Sequence, residues 1–181
     1  MAKLIGIVFL VMVVSTLTWA QDMGSPNQIA AKKFYDDTRL ITDLFAKGDD
    51  VGASNLAKSL LEDAEGFAHD WNYGNAVHAA NIVLGRIAMK KEDLEAAGKY
   101  LIAAGNTPGS PQLNTFGPDM NLARELLAAG EKKVVLDYFE LCTKFWKMND
   151  GRLKEWATLV ENGKTPEFGA NLRYFAPPTV D

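Results

Sequence analysis

Apolar side chains recur along this chain at spacings of three and four, the period of an amphipathic helix. From Phe34, the positions Leu40, Ile41, Leu44 and Phe45 predict one helix ending near Ala46. Ser25-Pro26-Asn27-Gln28 gives that helix a capping start, with Pro26 at its first position, and Gly48 gives it a stop. A second helix is predicted from Val51 to His69, turning Ala53, Leu56, Leu60, Leu61, Ala64 and Phe67 inward. A third begins after Trp71-Asn72-Tyr73-Gly74 and carries Ala76, Ala80, Val83, Leu84, Ile87 and Ala88. The fourth, Leu94 to Ala104, puts Leu94, Ala97, Leu101 and Ala104 on one face. Residues 105–117 read as a long irregular connection because of their glycines and prolines. Pro118 restarts a helix through Leu122, Ala123, Leu126 and Leu127, and Ala129-Gly130 ends it. A sixth runs from Lys132 to about Met148. Asp150 is expected to cap a seventh that carries Leu153, Trp156 and Leu159. The apolar tail is expected to dock as far as Phe175. No segment alternates as a strand does, so the expected fold class is all-α with about seven helices.

Residues 1–20 stand apart from this pattern. Lys3, the uncharged apolar run Leu4 to Val14, and the more polar stretch to Ala20 have the layout of a secretory signal peptide. The apolar run is shorter than the roughly 20 residues a spanning helix needs. Cleavage after Ala20 would leave residues 21–181 as a single domain, exported to the periplasm or secreted, with the membrane met only during export. Removing Lys3 takes the net charge from −4 to −5. An acidic chain without a basic run disfavours nucleic acid as a partner, because phosphate neutralisation needs clustered Lys and Arg.

Catalytic and metal signatures do not emerge from the spacing. His69 and His78 are nine apart with a helix break between them, unlike the four-residue spacing of a helical zinc pair. Cys142 lies in the apolar series Phe139, Cys142, Phe145, Trp146 and reads as a small core residue. No cofactor is expected. The reading is therefore a binding protein rather than an enzyme.

Leu84-Gly85 in one helix, followed by Ala97, Leu101 and Ala104 in the next, resembles a helix–turn–helix unit of the tetratricopeptide-repeat family. Gly85 and Ala97 are small enough for two helices to approach closely there. Gly48 and Gly130 occupy the hinge place that Glu92 holds in the central unit. Leu122-Ala123 then matches Leu84-Gly85, with Val135, Phe139 and Cys142 following, and Leu40-Ile41 with Ala53 and Leu60 forms the N-terminal copy. Asn81 and Ala88 stand where the family's first helix carries its tryptophan and tyrosine. The run Leu84 to Trp146 is also similar to exported bacterial proteins described as tetratricopeptide-like.

The resemblance implies a short α-solenoid of stacked antiparallel pairs, residues 34–69, 76–105 and 118–148, capped by a helix and tail over 150–175. It also implies a concave groove for another protein or peptide. Arg86 and Arg124, with Arg39, Tyr35, Asn81 and Asn121, would hold a partner carboxylate there, and Met89 and Met120 would give adaptable apolar contact. The same arginines can instead pair with nearby Glu or Asp at the surface. Two further readings stay open. One is a structural component that forms homo-oligomers through Trp146, Trp156 and the aromatic tail. The other is a helical-bundle enzyme or small-ligand binder with a closed pocket of converging acids.

Overall fold

The computed structural model describes residues 25–175, so the expected signal peptide over 1–20 lies outside the described residues. The chain divides into two compact units, Met1–Lys33 and Phe34–Asp181. In the first, Gln28 N–H donates to Ser25 Oγ at 3.3 Å and Ser25 N–H to Gln28 Oε1 at 2.7 Å, closing the capping box. The described residues form eight α-helices and no strand, so the protein is all-helical. They contain no helix long and apolar enough to cross a membrane.

In chain order the helices are α1 (Pro26–Ala46), α2 (Asp50–Ala64), α3 (Tyr73–Lys90), α4 (Leu94–Gly105), α5 (Pro111–Phe116), α6 (Asn121–Ala128), α7 (Lys132–Cys142) and α8 (Arg152–Glu161). A 3-10 turn, Glu65–Phe67, follows α2, and another, Gly169–Phe175, forms the tail. The predicted second helix therefore stops short of His69, tightening into 3-10 geometry around Gly66. Within the unit that starts at Phe34, α3 packs against α2, α4 and α6, and α4 also packs against α7. Its burial on nearly every side fits a helix apolar almost all round.

Four helices end in the same way. The second residue after the helix adopts positive φ, and its N–H and the next N–H turn back onto the last helical turn. Gly48 N–H reaches Phe45 O and Asp49 N–H reaches Leu44 O, both at 3.0 Å. Glu92 and Asp93 repeat this on Met89 and Ala88, Gly130 and Glu131 on Leu127 and Leu126, and Gly163 and Lys164 on Val160 and Leu159. Glu92 holds φ 60°, a conformation that glycine adopts without strain. In two of these turns the next helix starts at once: Asp49 accepts from Gly52 N–H and Asp93 from Ala96 N–H, each at 2.9 Å.

Several expectations are corrected. Leu40 is 42% exposed, because it sits about 100° round the helix from buried Ile41. The 105–117 connection contains α5, started by Ser110, whose Oγ accepts Leu113 N–H, and by Pro111 at the first position. Pro118 starts no helix; α6 begins three residues later, after Asp119 Oδ1 has accepted Asn121 N–H. Helix α7 ends at Cys142, and the turns beyond it still bury Phe145 and Trp146. Asp150 caps nothing: left-handed Gly151 precedes α8, with no side-chain cap.

Two clusters fill the unit. One joins Phe34, Ile41 and Phe45 of α1, Ala53, Ala57, Leu60 and Ala64 of α2, and Ala76, Ala80, Val83, Leu84 and Ile87 of α3. The other gathers Leu101, Leu122, Leu126, Tyr138, Phe139, Phe145, Trp146, Trp156 and Phe168. Trp146 is wholly buried there, Trp156 is 5% exposed and Phe168 2%, so this aromatic set is spent inside the fold and cannot stack between copies. Gly85 lets the helices close up: a Cβ there would lie 2.2 Å from a Leu122 methyl and 3.2 Å from Tyr100 Cβ.

Candidate functional site

A polar strip of α1 and a mixed strip of α3 line one space beside the first core. On α1 the strip is Tyr35, Thr38, Arg39 and Thr42; on α3 it is Asn75, His78, Ala79 and Ile82. Both have the i, i+3, i+4, i+7 spacing of one helix face. Trp71 and Asn72 from the α2–α3 connection, Gln112 and Leu113 of α5, and Asp119 close the space, leaving a pocket of about 370 Å³. Thr38, Asn72, His78, Ile82, Leu113 and Asp119 are buried and make its floor. Arg39, Trp71 and Gln112 are exposed and make its rim.

Most polar atoms of the pocket are committed to each other. Thr38 donates to Phe34 O at 2.8 Å and accepts from Asn72 Nδ2 at 3.0 Å. Asn75 Nδ2 donates to Asn72 Oδ1 at 3.0 Å and to Gln112 Oε1 at 3.2 Å, and Ser110 Oγ donates to Asn75 Oδ1. At the rim, Tyr35 O–H donates to Asp70 Oδ2 at 2.7 Å, and its ring lies 5.3 Å from that of Trp71. The Asp70 bond raises the Tyr35 pKa above its ordinary value.

His78 ties the floor together. Its Nε2 accepts Asp119 N–H at 3.1 Å, which leaves the ring proton on Nδ1 to donate to Ala104 O at 3.2 Å. Burial lowers its pKa from 6.5 to about 4, against the Ala104 bond, so the ring is neutral with both nitrogens in use. It has no lone pair left for a metal or for proton transfer. Asp119 is 2% exposed, and its Oδ1 accepts Asn121 N–H at 2.6 Å and Asn121 Nδ2 at 3.0 Å. Its Oδ2 is buried and meets no hydrogen-bond partner. Burial lifts this carboxyl from 3.8 to about 7, partly offset by the Asn121 bonds and the Arg86 charge.

The residues expected to line one groove are dispersed. Tyr35 and Arg39 lie at this pocket. Arg86 instead reaches Glu125 at 2.7 Å across α3 and α6, with its guanidinium 4.8 Å above the Phe45 ring. Arg124 is exposed and its guanidinium lies 3.5 Å from Asn121 Oδ1. Met120 is wholly buried, and Asn81 and Asn121 are 5% and 4% exposed, so none of these three offers a surface to a partner. Asn81 Nδ2 is turned inward onto Val77 O at 2.8 Å. Met89 is half-buried against the second core. Cys142 is buried, which pushes its thiol pKa upward, and no reactive thiolate is present at neutral pH.

Sequence reasoning missed Thr38, Trp71, Asn72, His78 and Asp119. A signal existed in the polar strip Tyr35, Thr38, Arg39, Thr42, which runs alongside the apolar strip Phe34, Ile41, Phe45 on the same helix. Asp119 had none, since only the fold brings it beneath His78. No family model, no curated protein and no solved structure matches this chain.

Proposed function

We propose that the chain is an exported, tetratricopeptide-like module that binds another protein or peptide without catalysis. Its helix pairs would stack as a short solenoid, and the pocket between α1 and α3 would receive part of the partner. One observation carries this reading. A space of about 370 Å³ opens on the rim of Tyr35, Arg39 and Trp71, and its walls mix apolar groups with a few fixed polar ones. That size and composition are typical of sites that hold an organic group. Trp71 is half exposed, as an aromatic anchor awaiting a partner would be. Arg39 and Trp71 are exposed, so the fold is expected to survive their replacement, which the helical circular dichroism of the variant checks.

The test is panning of the purified full chain against a displayed random-peptide library. Enriched peptides should bind at least about tenfold more weakly to a chain carrying both Arg39→Ala and Trp71→Ala. Enrichment that ignores the double substitution, or no enrichment at all, overturns the reading. Export is checked separately: the released protein should begin at Gln21, and a released protein beginning at Met1 counts against the leader.

A further inference from the structure

Asp119, which lines the floor of the pocket, carries one unanswered atom. Among the described residues, buried side-chain atoms without a hydrogen-bond partner are Asp119 Oδ2 and Trp146 Nε1, and only Asp119 lines this pocket. A buried carboxylate oxygen left unmet is costly, so such an atom asks for a donor from outside the chain. We propose that the pocket binds an organic ammonium group, which pairs with Asp119 Oδ2 at the floor while its apolar body lies against Ala79, Ile82 and Leu113. This rests on reading the pocket as a binding site and names the chemistry it recognises.

The surroundings favour a cation over a neutral donor. No Lys or Arg forms an ion pair with Asp119 among the described residues; Arg86, whose charge acts on it, is engaged by Glu125. His78 beside it is neutral. The Tyr35 and Trp71 rings at the mouth offer faces that attract cations. Arg39 shares the rim, but it is exposed and solvent screens its repulsion. The groups acting on Asp119 are Arg86 and Glu125 from α3 and α6, the Asn121 donors, the His78 ring that accepts its backbone N–H, and the Tyr138 hydroxyl of α7 that donates to its carbonyl at 3.0 Å. An ammonium at Oδ2 would draw the carboxyl down from about 7, so binding below that pH releases a proton. Affinity should rise with pH through about 7 and fall once the amine itself deprotonates.

The same chemistry is carried by a free amine and by a lysine side chain, and one experiment separates them. The full chain is titrated calorimetrically at pH 8 with phenethylamine, with its neutral counterpart 2-phenylethanol, and with short capped peptides containing lysine or norleucine. The amine should bind at least about tenfold more tightly than the alcohol, and Asp119→Asn should abolish that preference while sparing alcohol binding. A tighter lysine peptide would name a polypeptide as the source; a tighter free amine would name a small molecule. Equal binding of amine and alcohol, or a preference that survives Asp119→Asn, overturns the proposal. Should that variant fail to fold, the Asp119 carboxyl resonance of the unsubstituted chain gives the answer. Its titration midpoint must drop when phenethylamine is added, and a midpoint that stays put refutes ammonium pairing. Peptides that depend on Trp71 yet show no preference for an amine would leave the binding-module reading standing and remove this one.

Discussion

The core among α1, α2 and α3 is filled mostly by small and branched side chains, with alanine at 53, 57, 64, 76 and 80 and with Phe34 and Phe45 as its buried rings. The core among α4, α6, α7 and α8 is filled by rings, with Tyr138, Phe139, Phe145, Trp146, Trp156 and Phe168 in one cluster. Alanines let helix backbones come close, so the first core is held by interlocking surfaces. Rings keep helices apart and fill the space between them, so the second core tolerates short helices and loops. That is why α6 and α8 can be brief, and why the 3-10 tail can serve as a wall. Asn171 in that tail donates to Pro118 O at 2.8 Å and Phe116 O at 3.1 Å, while its own carbonyl takes Met120 N–H at 3.0 Å. The first core is stitched along its pocket side, where Asn72 Nδ2 donates to Thr38 Oγ1 at 3.0 Å and Tyr35 O–H to Asp70 Oδ2 at 2.7 Å.

The sharpest way to break this contrast is to remove a ring. Trp156→Ala should cost about 3–5 kcal/mol in denaturant unfolding, because neighbouring rings cannot collapse into the gap. If alanine there is tolerated, the second core is not ring-filled in any energetic sense.

A pH experiment probes the seam where the pocket lies. Between pH 6.5 and 4 the unfolded chain takes up a proton on His78 that the folded chain refuses, so acid weakens the fold. Between pH 7 and 3.8 the folded chain keeps a proton on Asp119 that the unfolded chain loses, so acid strengthens it. The two contributions oppose each other across the shared range. Asp119→Asn should expose the His78 contribution, with stability falling by ~3 kcal/mol more than in the parent from pH 6.5 to 4. His78→Gln should tilt the profile the other way, with stability lost as pH rises from 4 to 7. Parallel profiles for all three chains would show that burial shifts neither group.

Adding volume is the opposite perturbation and should injure the first core. Ala80→Leu is expected to cost about 1–3 kcal/mol, since the residue is wholly buried between close helices. The same direction and size are expected of Gly85→Ala, where the added carbon meets Leu122 and Tyr100.

The smallest change tests the shared turn. Glu92→Gly should stabilise the chain by about 1 kcal/mol, because φ 60° suits glycine. Thermal unfolding that moves down instead would mean the Glu92 side chain matters more than its backbone.

The all-helical class was legible because a 3.6-residue apolar period is written locally, and so were most helix ends. Ser25-Pro26 was read as a start, whereas Ser110-Pro111, the same signal, was passed over because glycines crowded around it. The site was legible only at Tyr35 and Arg39. Arg86 and Glu125 are 39 positions apart and Asp119 lies 41 from His78, and no local pattern announces such pairings.

The sequence by itself determined where the chain would be helical, where it would turn, and which faces would seek an interior, since each depends on neighbours within about a turn. Only the tertiary structure decided which polar groups lost their water. Packing set a neutral imidazole on the Asp119 backbone N–H and left one oxygen of the Asp119 carboxyl buried without a partner. Burial is a property of the assembled helices, and it is burial that gives Asp119 its unusual chemistry.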